Sequence, residues 1–224
     1  MVMAESEETT RKGPSSQPPP ACRRLTVWCK SLVFRGDGYA VFDDADGRMV
    51  FRVDNYGVGQ GSDMALMDHA GRVLLTVRRR HRKVSRSILI YMLSLMPETW
   101  EVYNGDVEGK VIDGHSVYQK AVDGEPRLVM RATKDLCSSS CTVSVLAADK
   151  PILYHLSWSR RDEWSRIYRC GSTGDNTLVA EVRRKLGGPE KTTLLGKDVL
   201  SLVVQPGMDH AITMAMLMIS NSYR

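Results

Sequence analysis

The sequence has no run of apolar residues long enough to span a bilayer as a helix, which takes roughly 18 or more. Its opening residues, Met1-Val2-Met3-Ala4-Glu5-Ser6-Glu7-Glu8, are acidic. They resemble neither the apolar core of a secretory signal nor an acid-poor transit peptide. Cysteine is scarce, odd in number and irregularly spaced: Cys22, Cys29, Cys137, Cys141 and Cys170. That pattern does not suggest a disulfide framework. The expectation is an intracellular protein, cytoplasmic or nuclear, with free thiols.

Catalytic signatures are also missing. His69, His81, His115, His155 and His210 are scattered, and no His-Glu-x-x-His spacing occurs. There is no Gly-x-Ser-x-Gly elbow. Cys137 and Cys141 have no second pair to complete a structural zinc site, and His155 at that spacing makes a poor third ligand. Gly57-Val58-Gly59-Gln60-Gly61 has Ser62 where a dinucleotide fingerprint needs glycine, so it reads as a turn. The expectations are no catalytic residue, no metal and no cofactor.

What is present is an ordinary globular composition, 42% hydrophobic and 25% charged, with a net charge of +5. Residues 1–22 form a polar segment that includes Gly13-Pro14-Ser15-Ser16-Gln17-Pro18-Pro19-Pro20. It has too little apolar surface to offset its ordering entropy, so a disordered tail is expected. Residues 23–224 are expected to form one domain.

From Leu25 the chain alternates short β-branched and aromatic runs with turn residues. Tyr39–Phe42 and Met49–Val53 flank Asp43-Asp44-Ala45-Asp46-Gly47. Ala65–Met67 and Arg72–Val77 flank Asp68-His69-Ala70-Gly71. Aspartate bonds the turn backbone, and glycine takes the positive φ of a tight hairpin. A looser echo joins Val117–Ala121 to Leu128–Met130 through Asp123-Gly124. Further strands read at Trp100–Tyr103, Cys141–Val145, Leu153–Trp158, Arg166–Cys170, Leu178–Arg183 and Val199–Val204. About a dozen short strands imply a closed barrel or a sandwich. Ser87–Leu93 reads as a short helix or irregular insert.

Pro206-Gly207 ends the last strand, and Asp209 follows as an N-cap. Ala211, Ile212, Met214, Ala215, Met216, Leu217, Met218 and Ile219 then cover every face of a helix. A helix apolar all round is buried in protein or in membrane. Twelve residues reach about 18 Å, short of the roughly 30 Å hydrocarbon core. The interior of the barrel is the expected place; a tail anchor or partner-binding helix is the competing reading.

The most concentrated charge is Arg78, Arg79, Arg80, Arg82, Lys83 and Arg86. Arginine forks onto phosphate oxygens, so these are candidate contacts for anionic phospholipid headgroups. A solvated loop that merely aids solubility is the competing reading. A barrel interior does not hold a bare guanidinium, so the strand is expected to end near Val77 or Arg78.

Leu25-Thr26-Val27-Trp28-Cys29-Lys30-Ser31-Leu32-Val33-Phe34 resembles the opening strand of the LURP-one-related proteins of plants. The resemblance continues through Tyr39-Ala40-Val41-Phe42-Asp43, Phe51-Arg52-Val53-Asp54-Asn55-Tyr56, Asp198–Val204, Pro206-Gly207 and Asp209-His210-Ala211. It implies the tubby C-terminal-like, phospholipid scramblase-like architecture, a twelve-stranded antiparallel barrel around a hydrophobic C-terminal helix. It also implies an association with plant defence responses. Tubby domains bind phosphoinositides, but none of their lipid-binding motifs maps onto this chain. The scramblase-type acidic calcium loop is not evident. The function expected is a non-enzymatic, monomeric module that docks peripherally at the plasma membrane. A protein-interaction scaffold or a nucleic-acid-associated regulator is the alternative.

Overall fold

The structure, a computed structural model, describes residues 21–29, 38–55, 63–80, 97–106, 109–112, 115–118, 127–136, 138–187 and 193–223. Of the strands in these segments, twelve close a barrel: β1 (Arg23–Trp28), β2 (Tyr39–Asp43), β3 (Met49–Asn55), β4 (Met64–Asp68), β5 (Val73–Arg80), β6 (Thr99–Asn104), β9 (Leu128–Lys134), β10 (Ser140–Val145), β11 (Ile152–Ser159), β12 (Trp164–Cys170), β13 (Asn176–Arg184) and β16 (Val199–Val204). Two small hairpins stand outside the closed sheet. They pair β7 (Gly109–Ile112) with β8 (His115–Tyr118), and β14 (Leu186–Gly187) with β15 (Thr193–Leu194). The helix α1 (His210–Asn221) completes the chain.

Period-two alternation builds the wall. Leu25 and Val27 of β1, Tyr154, Leu156 and Trp158 of β11, and Leu200, Leu202 and Val204 of β16 all point inward and are buried. Asp-Gly chemistry makes the first hairpins. Asp43 accepts from the Ala45 N–H at 2.9 Å, and Asp68 accepts from the Ala70 and Arg72 N–H groups at 2.9 and 3.0 Å. Gly47 and Gly71 take φ of 70° and 81°, a region open to glycine at little cost. Register shifts in four of the strand pairs add local bend and twist.

The third hairpin expected from sequence does not form. Val117 and Tyr118 belong to β8, which pairs with β7, whereas β9 pairs with β6 and β10. A non-local partner with a better-matched inward face wins: Val102 lies opposite Met130 and Trp100 opposite Ala132, all buried.

Helix α1 fills the barrel. Met214, Ala215, Met216, Leu217, Met218 and Ile219 are 0–1% exposed and share one core with inward residues from all round the wall. Thr213 and Ser220 are buried with them, and their hydroxyls bond the helix's own turns: Thr213 donates to the Asp209 carbonyl and Ser220 to the Leu217 carbonyl. Ala211 and Ile212 are half-buried, because the first turn lies at the mouth. Asp209 caps the helix by accepting from the Ile212 N–H at 2.8 Å. Each large buried side chain contributes about 1.5–3 kcal/mol, an upper value because the unfolded chain is partly collapsed.

Antiparallel pairing sends the strand connections alternately to two rims. The entry rim, where α1 begins, carries the β2–β3, β4–β5, β10–β11 and β12–β13 turns. The exit rim, where α1 ends, receives the last residues of β1, β3, β5, β9, β11 and β13. Of the tail expected at 1–22, only Ala21 and Cys22 are among the described residues, and the insert expected at 87–93 lies outside them.

Candidate functional site

The exit rim holds the described part of the basic run, Arg78, Arg79 and Arg80. Strand β5 continues through Arg80, beyond the end expected at Val77 or Arg78. The reason is that no guanidinium there is bare. Arg79 lies opposite buried Trp100 and so faces inward; its guanidinium sits 5.8 Å from the Trp100 ring centre and is ion-paired with Glu98. Arg78 faces the other way and forks onto Asp63, with Nε and Nη2 donating to Oδ2 at 2.9 and 2.6 Å. Arg80 and Arg131 both donate to Glu101 Oε1, at 3.2 and 3.0 Å, while the Tyr103 hydroxyl donates to Oε2 at 2.8 Å.

Three of the six cations are among the described residues. Arg78, Arg79 and Arg80 are each held by a carboxylate, and Arg82, Lys83 and Arg86 lie outside the described residues. Sequence reasoning missed Asp63, Glu98 and Glu101. Each reaches its arginine from a different strand or connection, so nothing local announced the pairing.

The same rim has an aromatic plug. Tyr223 stacks on Trp158 with ring centres 5.2 Å apart and planes 8° from parallel, and meets Trp100 edge-on at 6.4 Å. The Trp100 Nε1–H donates to the Tyr223 hydroxyl at 2.9 Å. The Lys134 ammonium lies 5.5 and 5.7 Å from the Trp158 and Tyr223 ring centres. Burial pushes the Tyr223 phenol up, and the Glu98 carboxylate beside it adds to the shift. The plug shuts the barrel at the end of α1.

Three cations on this rim have no carboxylate partner among the described residues: Arg160 and Arg161 in the β11–β12 turn, and Lys197 ahead of β16. Arg160 and Lys197 line a cavity of about 640 Å³ together with Tyr39, Asn55, Glu163 and Asn221. Glu163 takes φ of 51°, a conformation costly for a residue with a Cβ, and its Oε2 lies 3.0 Å from Arg184 Nε.

The entry rim has a cleft of about 810 Å³, lined by Arg23, Arg24, Asp43, Asp44, Gln205 and His210 among others. It is internally compensated. Arg23 Nε donates to Asp43 at 2.9 Å, and Lys185 Nζ donates to Asp44 Oδ1 at 2.7 Å. The Ala45 N–H and then Arg23 hold the Asp43 carboxyl below the usual range. Burial, followed by the Arg23 charge, lowers the pKa of His210. A metal site using Cys141 and His155 is sterically broken. Cys141 points into the core, whereas His155 lies between inward Tyr154 and Leu156 and points out. Cys137 lies outside the described residues.

Among the described residues no helix is long and apolar enough to cross a membrane. A model of the LURP-one-related family matches residues 23–221. The Arabidopsis thaliana protein LURP-one-related 5 is 34% identical over 200 residues, covering 88% of this chain and 81% of that protein. LURP-one-related 8, also from Arabidopsis thaliana, is 30% identical over 198 residues, covering 87% and 84%. An X-ray structure of an Arabidopsis thaliana protein superposes with a TM-score of 0.53 over 91% of this chain and 92% of its own, at 16% identity, which carries the fold alone. The match from the first barrel strand to the last turn of the central helix means that this chain belongs to the LURP-one-related family.

Proposed function

We propose that this protein is a non-enzymatic, intracellular module that docks peripherally on anionic membranes through its exit rim, with phospholipid headgroups as its ligands. The observation that carries this reading is the placement of charge by the strand topology. Strand β5 ends at Arg80 on the exit rim, and in the sequence His81-Arg82-Lys83 follows, outside the described residues. Arg160, Arg161 and Lys197, which form no ion pair among the described residues, stand on the same rim beside Asp162, Glu163 and Asp198. The turns of the entry rim are acid-rich by contrast, with Asp44, Asp46, Asp68, Asp149 and Asp175. A molecule polarised this way presents one end to a negative surface. A part in plant defence, which the family resemblance implies, would then begin with recruitment to the membrane.

Vesicle sedimentation tests the reading. Phosphatidylserine-containing vesicles should bind the protein at low salt and release it as salt rises. Replacing Arg82, Lys83 and Arg86 by serine should weaken binding about a hundredfold, at about 1 kcal/mol per cation. Binding to neutral vesicles alone, or to none, defeats the proposal. A nucleic-acid role would use the same cations, but the helix α1 is inside the barrel and offers nothing to a groove. A gel shift over the same salt series separates the two.

A further inference from the structure

The exit rim carries apolar side chains as well as cations. Six large hydrophobic residues stand exposed on the described surface, and four of them belong to this end of the barrel: Trp28 at 41%, Leu136 at 58%, Leu186 at 45% and Leu195 at 36%. Trp28 is the last residue of β1, and Leu136 lies in the β9–β10 turn. Leu186 opens β14 and Leu195 follows β15, on a hairpin that extends β13 past the rim. The hairpin is tied to the barrel next to Trp28. Trp28 lies opposite Val199, the Lys185 N–H donates to the Val199 carbonyl at 3.0 Å, and the Leu195 N–H donates to the Lys185 carbonyl at 3.0 Å. The Leu195 side chain lies across Gly187, where an added Cβ would come within 2.5 Å of Leu195 Cδ2.

An exposed tryptophan and exposed leucines on one rim, with cations that form no ion pair among the described residues, make the composition of a membrane-interface surface. The indole sits at headgroup level, leucine enters the acyl boundary, and arginine and lysine meet the phosphates. Resting on the anionic-membrane reading above, we infer that Trp28, Leu186 and Leu195 insert into the bilayer interface while Arg160, Arg161 and Lys197 engage lipid phosphates. The barrel then stands end-on, with the α1 axis along the membrane normal and the acid-rich entry rim turned away.

Trp100 and Trp158 are buried in the barrel, but Trp164, half-buried at the start of β12, stands on the same rim, so Trp28 is read in a Trp164→Phe background. Phosphatidylcholine–phosphatidylserine vesicles with brominated acyl chains are titrated into the full-length chain while tryptophan emission is followed. Trp164→Phe is compared with the same variant carrying Trp28→Phe, and wild type with the double variant Leu186→Ser, Leu195→Ser. Bromine should quench the emission of Trp164→Phe, and adding Trp28→Phe should abolish that quenching. The leucine variant should melt at the wild-type temperature and bind about tenfold or more weakly, the equivalent of partial burial of two leucines. Salt-sensitive binding with no Trp28-dependent quenching would overturn the insertion and leave the anionic docking standing. Absence of binding to these vesicles would defeat both. A Trp28-dependent spectral change on concentrating the protein without vesicles would identify the surface as a contact between copies of this chain and would also overturn the inference.

Discussion

Cys141 faces into the core from β10, and burial, with the Asp135 charge next, pushes its thiol up to about 12. No thiolate is then available at neutral pH. A disulfide reagent should label exposed Cys22 in the native protein and reach Cys141 only as the chain unfolds. Prompt native labelling of Cys141, read by mass spectrometry, would place the thiol outside the core. His210 supplies a pH-dependent term of definite sign. Its folded pKa lies below the unfolded value, so the unfolded chain gains the proton first as pH falls. The stabilisation is complete above about pH 6.5 and is lost as pH falls through the folded pKa. Melting temperature should drop over that window. His210→Gln should flatten it, leaving the decline at lower pH that comes from Asp43 and Asp44, whose pKa values are also depressed. An unchanged profile in His210→Gln would contradict the assignment. At this scale the Asp209 cap was legible because its geometry is local. The carboxylates that hold Arg78, Arg79 and Arg80 were not, because partners brought in by register leave no mark in the neighbouring sequence.

Among the elements, α1 announced itself through an apolar surface on all sides and a length too short for a bilayer. The Asp-Gly hairpins were equally plain. The β6–β9 pairing was hidden. It skips the β7–β8 hairpin, and a period-two pattern records which face is inward without saying which strand lies alongside. The rule that a barrel holds no bare guanidinium was sound, yet it placed the end of β5 too early, since Glu98 and the Trp100 face accommodate Arg79. Deleting residues 207–224 removes the core of the barrel and should give an insoluble chain without a cooperative melt. A soluble truncation that melts cooperatively would refute the filled barrel. Two smaller changes grade the same claim. Asp209→Ala should cost about 1 kcal/mol through the lost cap. Tyr223→Ala should cost about 2–4 kcal/mol, because it removes a ring stacked on Trp158 and the acceptor of the Trp100 N–H. Denaturant unfolding measures both.

For the whole molecule, an even number of antiparallel strands sorts the connections into two ends of different character. One end has acid-rich turns; among the described residues the other combines cations outside any ion pair with exposed tryptophan and leucine. The basic run drew attention in the sequence because it is contiguous. The rest of the rim was illegible because Trp28, Arg160, Leu186 and Lys197 are far apart in the chain and meet only when the barrel closes. The most direct measurement compares charge reversal at the two ends. One variant carries Arg160→Glu, Arg161→Glu and Lys197→Glu at the exit rim; the other carries Arg24→Glu, Lys150→Glu and Arg169→Glu towards the entry rim, all exposed positions. Both are sedimented with phosphatidylserine-containing vesicles at one salt concentration. The exit-rim variant should lose at least about a hundredfold in affinity, and the entry-rim variant should bind like wild type. Equal losses in both, or a loss confined to the entry-rim variant, would contradict docking through the exit rim.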